Sequence, residues 1–425
     1  MIRYETIPVT KHAPKPPMGY NTWNTFGPDV TEEEFKAQVD YVAEHLKPHG
    51  YEFMVVDLGW YGPKLFGPGE RYKDAKPEQV MDEWGRLLPT PNRWPSCADG
   101  SFKAIADYVH AKGLKFGIHI MRGIPWEAVE KNLPIKGGNG AKAQDVFMWD
   151  KTCVFYDGMR TLDLEHPASQ AYYDSIVELY VEWGVDFIKS DDMTSYPVKH
   201  DELMALRHAI ERKGKGIVLS LSPGAVNPWD RNLLQHFADM YRASGDVYDK
   251  WEHIDRAFQK ARWFYQYSGP GGWMDLDMLV VGTLGLRYET VGYNRPCQLT
   301  RDEQLTHLTL WMIARSPIFL GCDLREMDDW TLAHVTHKLA LEINQNFENP
   351  KPVVREGPLI VWRSTAPDGK RTALAVFNRG EEALTHAVEA EGPAVDVWTG
   401  ESLPVDALAA LEVAPHAARF VVLNA

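Results

Sequence analysis

The sequence predicts an α/β protein, a (β/α)₈ TIM barrel followed by a small antiparallel β-sandwich domain. Three observations carry this expectation. An amphipathic helix, a glycine and a short apolar strand with a polar end recur along the first 330 residues. Eight such strands can be counted there, and helices alternating with apolar strands imply a parallel sheet. After Trp330 the pattern changes to short alternating strands with turn residues between them. An open doubly wound sheet is the alternative, but it usually wants a Gly-rich GxGxxG first turn, and none follows any of the strands.

The units follow in chain order. Met18–Trp23 is the first candidate strand. Thr31 and Glu34 form a capping box, and Phe35, Val39, Val42 and Leu46 line one helical face. Gly50 ends that helix, and Tyr51–Asp57 is the second strand. Ser101 can cap a helix with Phe102, Ile105 and Val109 inward, then Gly113 precedes the strand Leu114–Met121. Pro167 opens a helix at its favoured first turn, with Ile176, Leu179, Tyr180 and Trp183 on the core side. Gly184 closes it before the strand Val185–Asp191. A helix over Asp201–Arg212, stopped by Gly216, precedes the strand Ile217–Ser222. The remaining strands are Asp239–Ser244, Trp273–Leu279 and Pro317–Cys322. The connections 59–100 and 122–166 are long and rich in Gly, Pro and Trp, and loops of that kind are typically functional.

The expected boundaries are 1–330 for the barrel, 331–351 for a connecting helix (Thr331–Asn344) and linker, and 352–425 for the β domain. The linker is Asn349-Pro350-Lys351-Pro352, and the domain strands are Leu359–Arg363, Thr372–Asn378, Ala394–Thr399 and Ala418–Leu423. Asp368-Gly369 marks a hairpin turn.

Composition narrows the partners. A net charge of −14 argues against nucleic acid or an anionic membrane surface. No apolar run is long enough to span a bilayer, and the N-terminus lacks the apolar core of a signal peptide. The four cysteines are scattered without a CxxC pair, so neither a zinc knuckle nor a disulfide framework is expected, and a cytoplasmic location fits best.

The stretch Val185–Met193 carries the chemistry. Alternation places Lys189 and Asp191 on one face of the strand, and Ile188 and Asp192 on the other. Burying Lys and Asp together is costly unless they pair or react. The charges lie at the strand's C-terminal end, where barrel enzymes keep their sites. Other strand ends add Trp23, Asp57, Trp60, His119, Ser222, Arg242, Asp246, Asp275 and Asp277. This set is dominated by carboxylates, and a pair of carboxyl groups, one ionised and one protonated, is the minimal machine for glycoside hydrolysis. No GxSxG elbow, HExxH or Walker A motif is present. A Mg²⁺-dependent barrel enzyme and a non-catalytic sugar-binding barrel are the alternatives.

The motifs in order resemble glycoside hydrolase family 27, the α-galactosidase and α-N-acetylgalactosaminidase family. PMGYNTWN at Pro17–Asn24 is similar to the family's opening strand, and GYEFMVVDLGW at Gly50–Trp60 to its second. WGVDFIKSD at Trp183–Asp191, YRASGD at Tyr241–Asp246 and WMDLDMLVVG at Trp273–Gly282 follow suit, and SPIFLGCDL at Ser316–Leu324 resembles the last barrel strand. The resemblance implies a retaining double displacement on terminal α-linked galactose or N-acetylgalactosamine, with no metal or organic cofactor. It implies Asp191 as nucleophile and Asp246 as general acid, then base. It implies Asp57, Lys189, Arg242 and Asp277 as sugar-binding residues and Trp23 as an apolar wall; Asp275 matches the motif for either sugar binding or structure.

Departures from the family pattern bear on the sugar. Paired acids after the second strand become Asp57-Leu58, which removes a carboxylate that usually grips the O4/O6 edge. A third-strand tyrosine becomes His119. Cys153 has no partner cysteine, because Met193 stands at the second half-site. Ser222 and Ala225 fall where a Ser and an Ala leave room for a 2-acetamido group in the N-acetylgalactosaminidases. A β-L-arabinopyranoside, which resembles galactose without its C6 group, is the further candidate.

Overall fold

The computed structural model describes residues 9–63, 78–152 (150–152 as backbone only), 156–195, 197–214, 216–224, 226–287 and 294–424. Eight parallel strands form one sheet: β1 (Met18–Asn21), β2 (Phe53–Val56), β3 (Lys115–Met121), β4 (Phe187–Asp191), β5 (Val218–Leu221), β6 (Met240–Arg242), β7 (Trp273–Asp275) and β8 (Ile318–Leu320). Neighbours in sequence are neighbours in the sheet, and β8 pairs back onto β1. A single bridge between Leu279 and Leu320 closes the seam from the β7 side. All eight strands fall inside the stretches expected from sequence. Each is shorter: β3 and β4 start later than expected and keep their C-terminal ends, and β7 starts as expected but ends early; Trp23, expected in the first strand, already starts a helical turn.

The covering helices are α1 (Glu32–Tyr41), α2 (Lys103–Ala111), α3 (Pro167–Trp183), α4 (His200–Lys213), α5 (Arg231–Phe237), α6 (Trp251–Phe264) and α7 (Arg301–Ile313). Their starts follow local chemistry. Thr31 and Glu34 make the expected reciprocal box at α1, and Thr300 with Glu303 repeats it at α7. Pro167 occupies the first turn of α3, and Gly184 ends it in the left-handed conformation at φ +84°. Among the described residues no helix is long and apolar enough to cross a membrane.

The expected single helix after Trp330 is two, α8 (Asp329–Val335) and α9 (Lys338–Asn346). The break has its own cap, since the His337 ring accepts from the Ala340 amide. The stretch expected as a linker, Asn349–Pro352, lies instead within an edge strand, β9 (Glu348–Glu356). Its prolines hid it, because proline cannot donate to a ladder and is confined to edges and irregularities. The pairing of β9 with β10 (Leu359–Thr365) indeed shifts register around Pro350 and Pro352.

The sheet continues through β11 (Arg371–Asn378), β12 (Ala394–Asp396), β13 (Ser402–Leu403) and β14 (Ala418–Asn424), in the order β9-β10-β11-β14-β12-β13. Its two faces are both apolar. Ile360, Trp362, Ala375, Phe377, Phe420 and Val422 join the barrel's core. Val361, Val376 and Val421, one residue out of step, pack with Leu411 and Val413 of a two-stranded sheet behind. Period-two alternation thus glues the C-terminal antiparallel domain to the barrel with one face and builds its own core with the other.

Candidate active site

The C-terminal ends of the strands enclose a cavity of about 190 Å³ lined by Trp23, Asn24, Asp57, Leu58, Lys189, Asp191, Pro223, Arg242, Asp246, Asp277 and Met278. Parallel strands bring these residues together from six positions around the ring. Sequence reasoning foresaw Trp23, Asp57, Lys189, Asp191, Arg242, Asp246 and Asp277 here. It missed Asn24, Pro223 and Met278, each adjacent in sequence to a residue that was singled out.

On one side of the cavity the carboxylates are outnumbered by donors. Asp57 Oδ2 takes Lys189 Nζ at 2.7 Å and Asn21 Nδ2 at 2.6 Å, and its Oδ1 takes the Leu58 amide at 2.8 Å. His119 Nε2 lies 3.1 Å from Asp191 Oδ2. The Ser222 hydroxyl donates to Asp191 Oδ1. Burial alone would push both carboxyls up. For Asp191, His119, then Lys189 and Ser222, outweigh it and hold the group well below the usual carboxylate range. For Asp57, Lys189 and His119 do the same. Burial opposes the charge of Lys189, but Asp57 and Asp191 overcome it and raise its pKa.

On the other side one guanidinium serves several carboxyls. Arg242 lies 3.1 Å from Asp246 Oδ1 and 2.8 Å from Asp277 Oδ1. Asp277 sits at φ +87°, beyond the end of β7. That turn lets its other oxygen take the Val247 amide at 2.7 Å, while its own amide donates to Asp275 Oδ1 at 2.8 Å. Burial drives Asp277 upward against the pull of Arg242, helped by Asp246 and Asp275. Asp275 is likewise raised by burial. The Asp246 side chain is 46% exposed, against 15% for Asp191, so it stands at the mouth while Asp191 stands at the floor.

Two expected residues differ in placement. His119 and Ser222 are fully buried and do not reach the cavity wall; both point at Asp191 instead. Alternation gave the face but not the depth. Ala225 and Cys153 lie outside the described residues. Asp192 faces away from Asp191, as alternation requires: its Oδ2 pairs with Arg122 Nε at 2.6 Å, and Arg122 also holds Glu202 at 2.5 Å. Sequence reading gave no role to Arg122, whose backbone amide bonds the Asp191 carbonyl at 3.3 Å.

Comparison with known proteins matches this arrangement. The family model described as alpha galactosidase A covers residues 15–125 and 140–346. An alpha-galactosidase A from Cellvibrio japonicus is 28% identical over 390 residues, 88% of this chain and 78% of that protein. An alpha-N-acetylgalactosaminidase from Gallus gallus is 27% identical over 387 residues, 86% and 79% of the two chains. A β-L-arabinopyranosidase from Geobacillus stearothermophilus, solved in complex with arabinose, superposes with a TM-score of 0.93 at 38% identity, covering 97% of this chain and 98% of that one. A barrel whose strand ends converge carboxylates on one sugar-sized cavity, matched over most of its length by such enzymes, is a glycoside hydrolase, and the chain belongs to glycoside hydrolase family 27.

Proposed function

We propose that the protein is a retaining glycosidase that removes terminal β-L-arabinopyranosyl groups, with Asp191 as nucleophile and Asp246 as acid and base. One observation carries the choice of sugar. Leu58, 97% buried by its neighbours yet on the cavity wall, presents an apolar side chain where the family pattern has a second acid for the O4/O6 edge. A pyranose with galactose configuration but no C6 hydroxymethyl lacks the O6 half of that edge, so the second acid is dispensable. The similarity to the Geobacillus arabinopyranosidase supports the same reading.

In the first step the Asp191 carboxylate attacks the anomeric carbon. The bond to the leaving oxygen breaks, and Asp246 gives that oxygen its proton. In the second step Asp246 takes a proton from water, the water oxygen attacks the anomeric carbon, and Asp191 leaves as the carboxylate. Asp191 must therefore be ionised at rest, which the donors around it favour. Asp57, Lys189, Arg242 and Asp277 hold the sugar hydroxyls, and Trp23 packs against its apolar face.

The second reading is hydrolysis of α-galactosides or α-N-acetylgalactosaminides, the activities named for the relatives from Cellvibrio and Gallus. The engagement of Ser222 with Asp191 speaks against a 2-acetamido contact through that residue. Hydrolysis rates of the 4-nitrophenyl β-L-arabinopyranoside, α-galactopyranoside and N-acetyl-α-galactosaminide decide between them. The arabinoside is expected to give the highest kcat/KM. A higher value for either hexoside overturns the sugar preference, and no cleavage of any of the three overturns the activity.

A further inference from the structure

We infer that His119 and Ser222 form a two-sided clamp that fixes the Asp191 carboxylate, each acting as a positioning residue for the nucleophile rather than as a sugar ligand. The inference rests on the reading of Asp191 as nucleophile.

A carboxylate needs such a clamp. The torsion that turns the Asp carboxyl group is broad and roughly two-fold, so the group is free to swing unless something holds it. Here each oxygen has its own close polar neighbour, on a different strand. His119 projects from β3, in register with Lys189 on β4, and its Nε2 stands 3.1 Å from Oδ2. Ser222 follows β5 and donates to Oδ1. The two donors therefore grip the carboxylate from both flanking strands. Each oxygen offers two acceptor directions, so one donor apiece leaves a lone pair for the anomeric carbon.

Both clamps are themselves fixed. The His119 carbonyl accepts from Trp60 Nε1 at 2.8 Å, and the Ser222 amide donates to the Ser190 carbonyl at 2.9 Å. Both side chains have no exposed surface, so neither is free to bind substrate. The clamp requires the hydrogen facing Oδ2 to be on His119 Nε2, since an ionised Asp191 has no proton to give. The groups facing Asp191 are then accounted for. They are His119 from β3, Lys189 from its own strand, Ser222 from the end of β5, and the Asp57 carboxylate beyond Lys189.

Removing one donor has two consequences with different readouts. The carboxylate swings, which lowers kcat with little change in KM, by about 10²-fold for a displacement near 1 Å. It also loses a bond to its charged form, so the acid limb of the kcat/KM profile moves to higher pH. A residue that merely fills space would not move that limb.

The test measures pH profiles of His119→Phe, His119→Gln, Ser222→Ala and Asp191→Ala on 4-nitrophenyl β-L-arabinopyranoside and α-galactopyranoside. His119→Phe and Ser222→Ala are expected to lower kcat and shift the acid limb upward. His119→Gln, whose amide nitrogen can take the place of Nε2, is expected to recover both. Ser222→Ala removes a single oxygen and carries the test should His119→Phe not fold. An acid limb that stays at the wild-type pH in the folded variants overturns the clamp. Full turnover by Asp191→Ala overturns instead the reading on which the clamp rests.

Discussion

The two sides of the cavity handle negative charge in opposite ways. Around β2, β4 and the end of β5, two carboxylates meet Lys189, His119, Asn21, Ser222 and the Leu58 amide, and both are held ionised. Around β6 and β7, Arg242 is the cation that faces both Asp246 and Asp277, with Asp275 behind, and burial pushes the two inner carboxyls up. Titratable groups driven apart by their surroundings mark acid and base assignments. One side keeps its charge, and on the other the carboxyls that burial raises, Asp275 and Asp277, stand behind Asp246.

Removing the carboxylates tests that contrast most severely. Asp191→Ala is expected to lose activity on the order of 10⁴-fold, whatever the leaving group. Asp246→Ala is expected to lose about 10²- to 10⁴-fold on a glycoside with a basic leaving group, and far less with nitrophenolate, which departs without a proton. Equal losses on both leaving groups would mean that Asp246 is not the acid.

Removing the cations comes next. Lys189→Met breaks a nearly buried pair with Asp57 and is expected to cost about 3 kcal/mol of stability at neutral pH, read by denaturant unfolding. The sign follows from the lowered Asp57 and Asp191. Their contribution is present above the unfolded carboxylate pKa and is lost as pH falls through the folded values, so the deficit of the variant shrinks in acid. Its kcat/KM acid limb should move upward, since Lys189 is among the groups holding Asp191 down. Arg242→Met should lower kcat and leave that limb in place, because Arg242 faces the other side. A limb that moves equally in both variants would erase the distinction between the two sides.

The smallest effect is expected at the sugar edge. Leu58→Asp restores the family's paired acids and should raise the α-galactoside to β-L-arabinopyranoside ratio of kcat/KM by roughly tenfold, the scale of one edge contact. An unchanged ratio would separate Leu58 from specificity.

Much of this was legible in the sequence, for physical reasons. Interior parallel strands are short apolar runs between amphipathic helices, so all eight barrel strands stood out. Alternation separated Asp191 from Asp192 correctly, because a buried strand leaves side chains only two directions; Asp192 turns to Arg122. Depth was not legible. His119 and Ser222 fall at cavity-facing strand ends by sequence, yet each turns its polar atom toward Asp191 one layer below the surface. Nor was β9, whose two prolines imitate a linker. Leu58 was legible only as a departure from a pattern, since nothing in a lone leucine announces that it lines a sugar cavity.

The order of strands has a consequence for how such an enzyme changes over time. Asp191 ends β4, while Arg242 and Asp246 belong to β6 and the turn after it, with β5 alone between them. The strands leading to the two carboxyls are therefore held two spacings apart, about 4.8 Å each, and the turn after β6 brings Asp246 back toward the cavity. Leu58 sits on β2's side of the ring, outside that ruler. Drift at the rim can trade one sugar for another while the reaction stays in calibration, as on an instrument whose scale is engraved in the frame and whose sample holder is detachable.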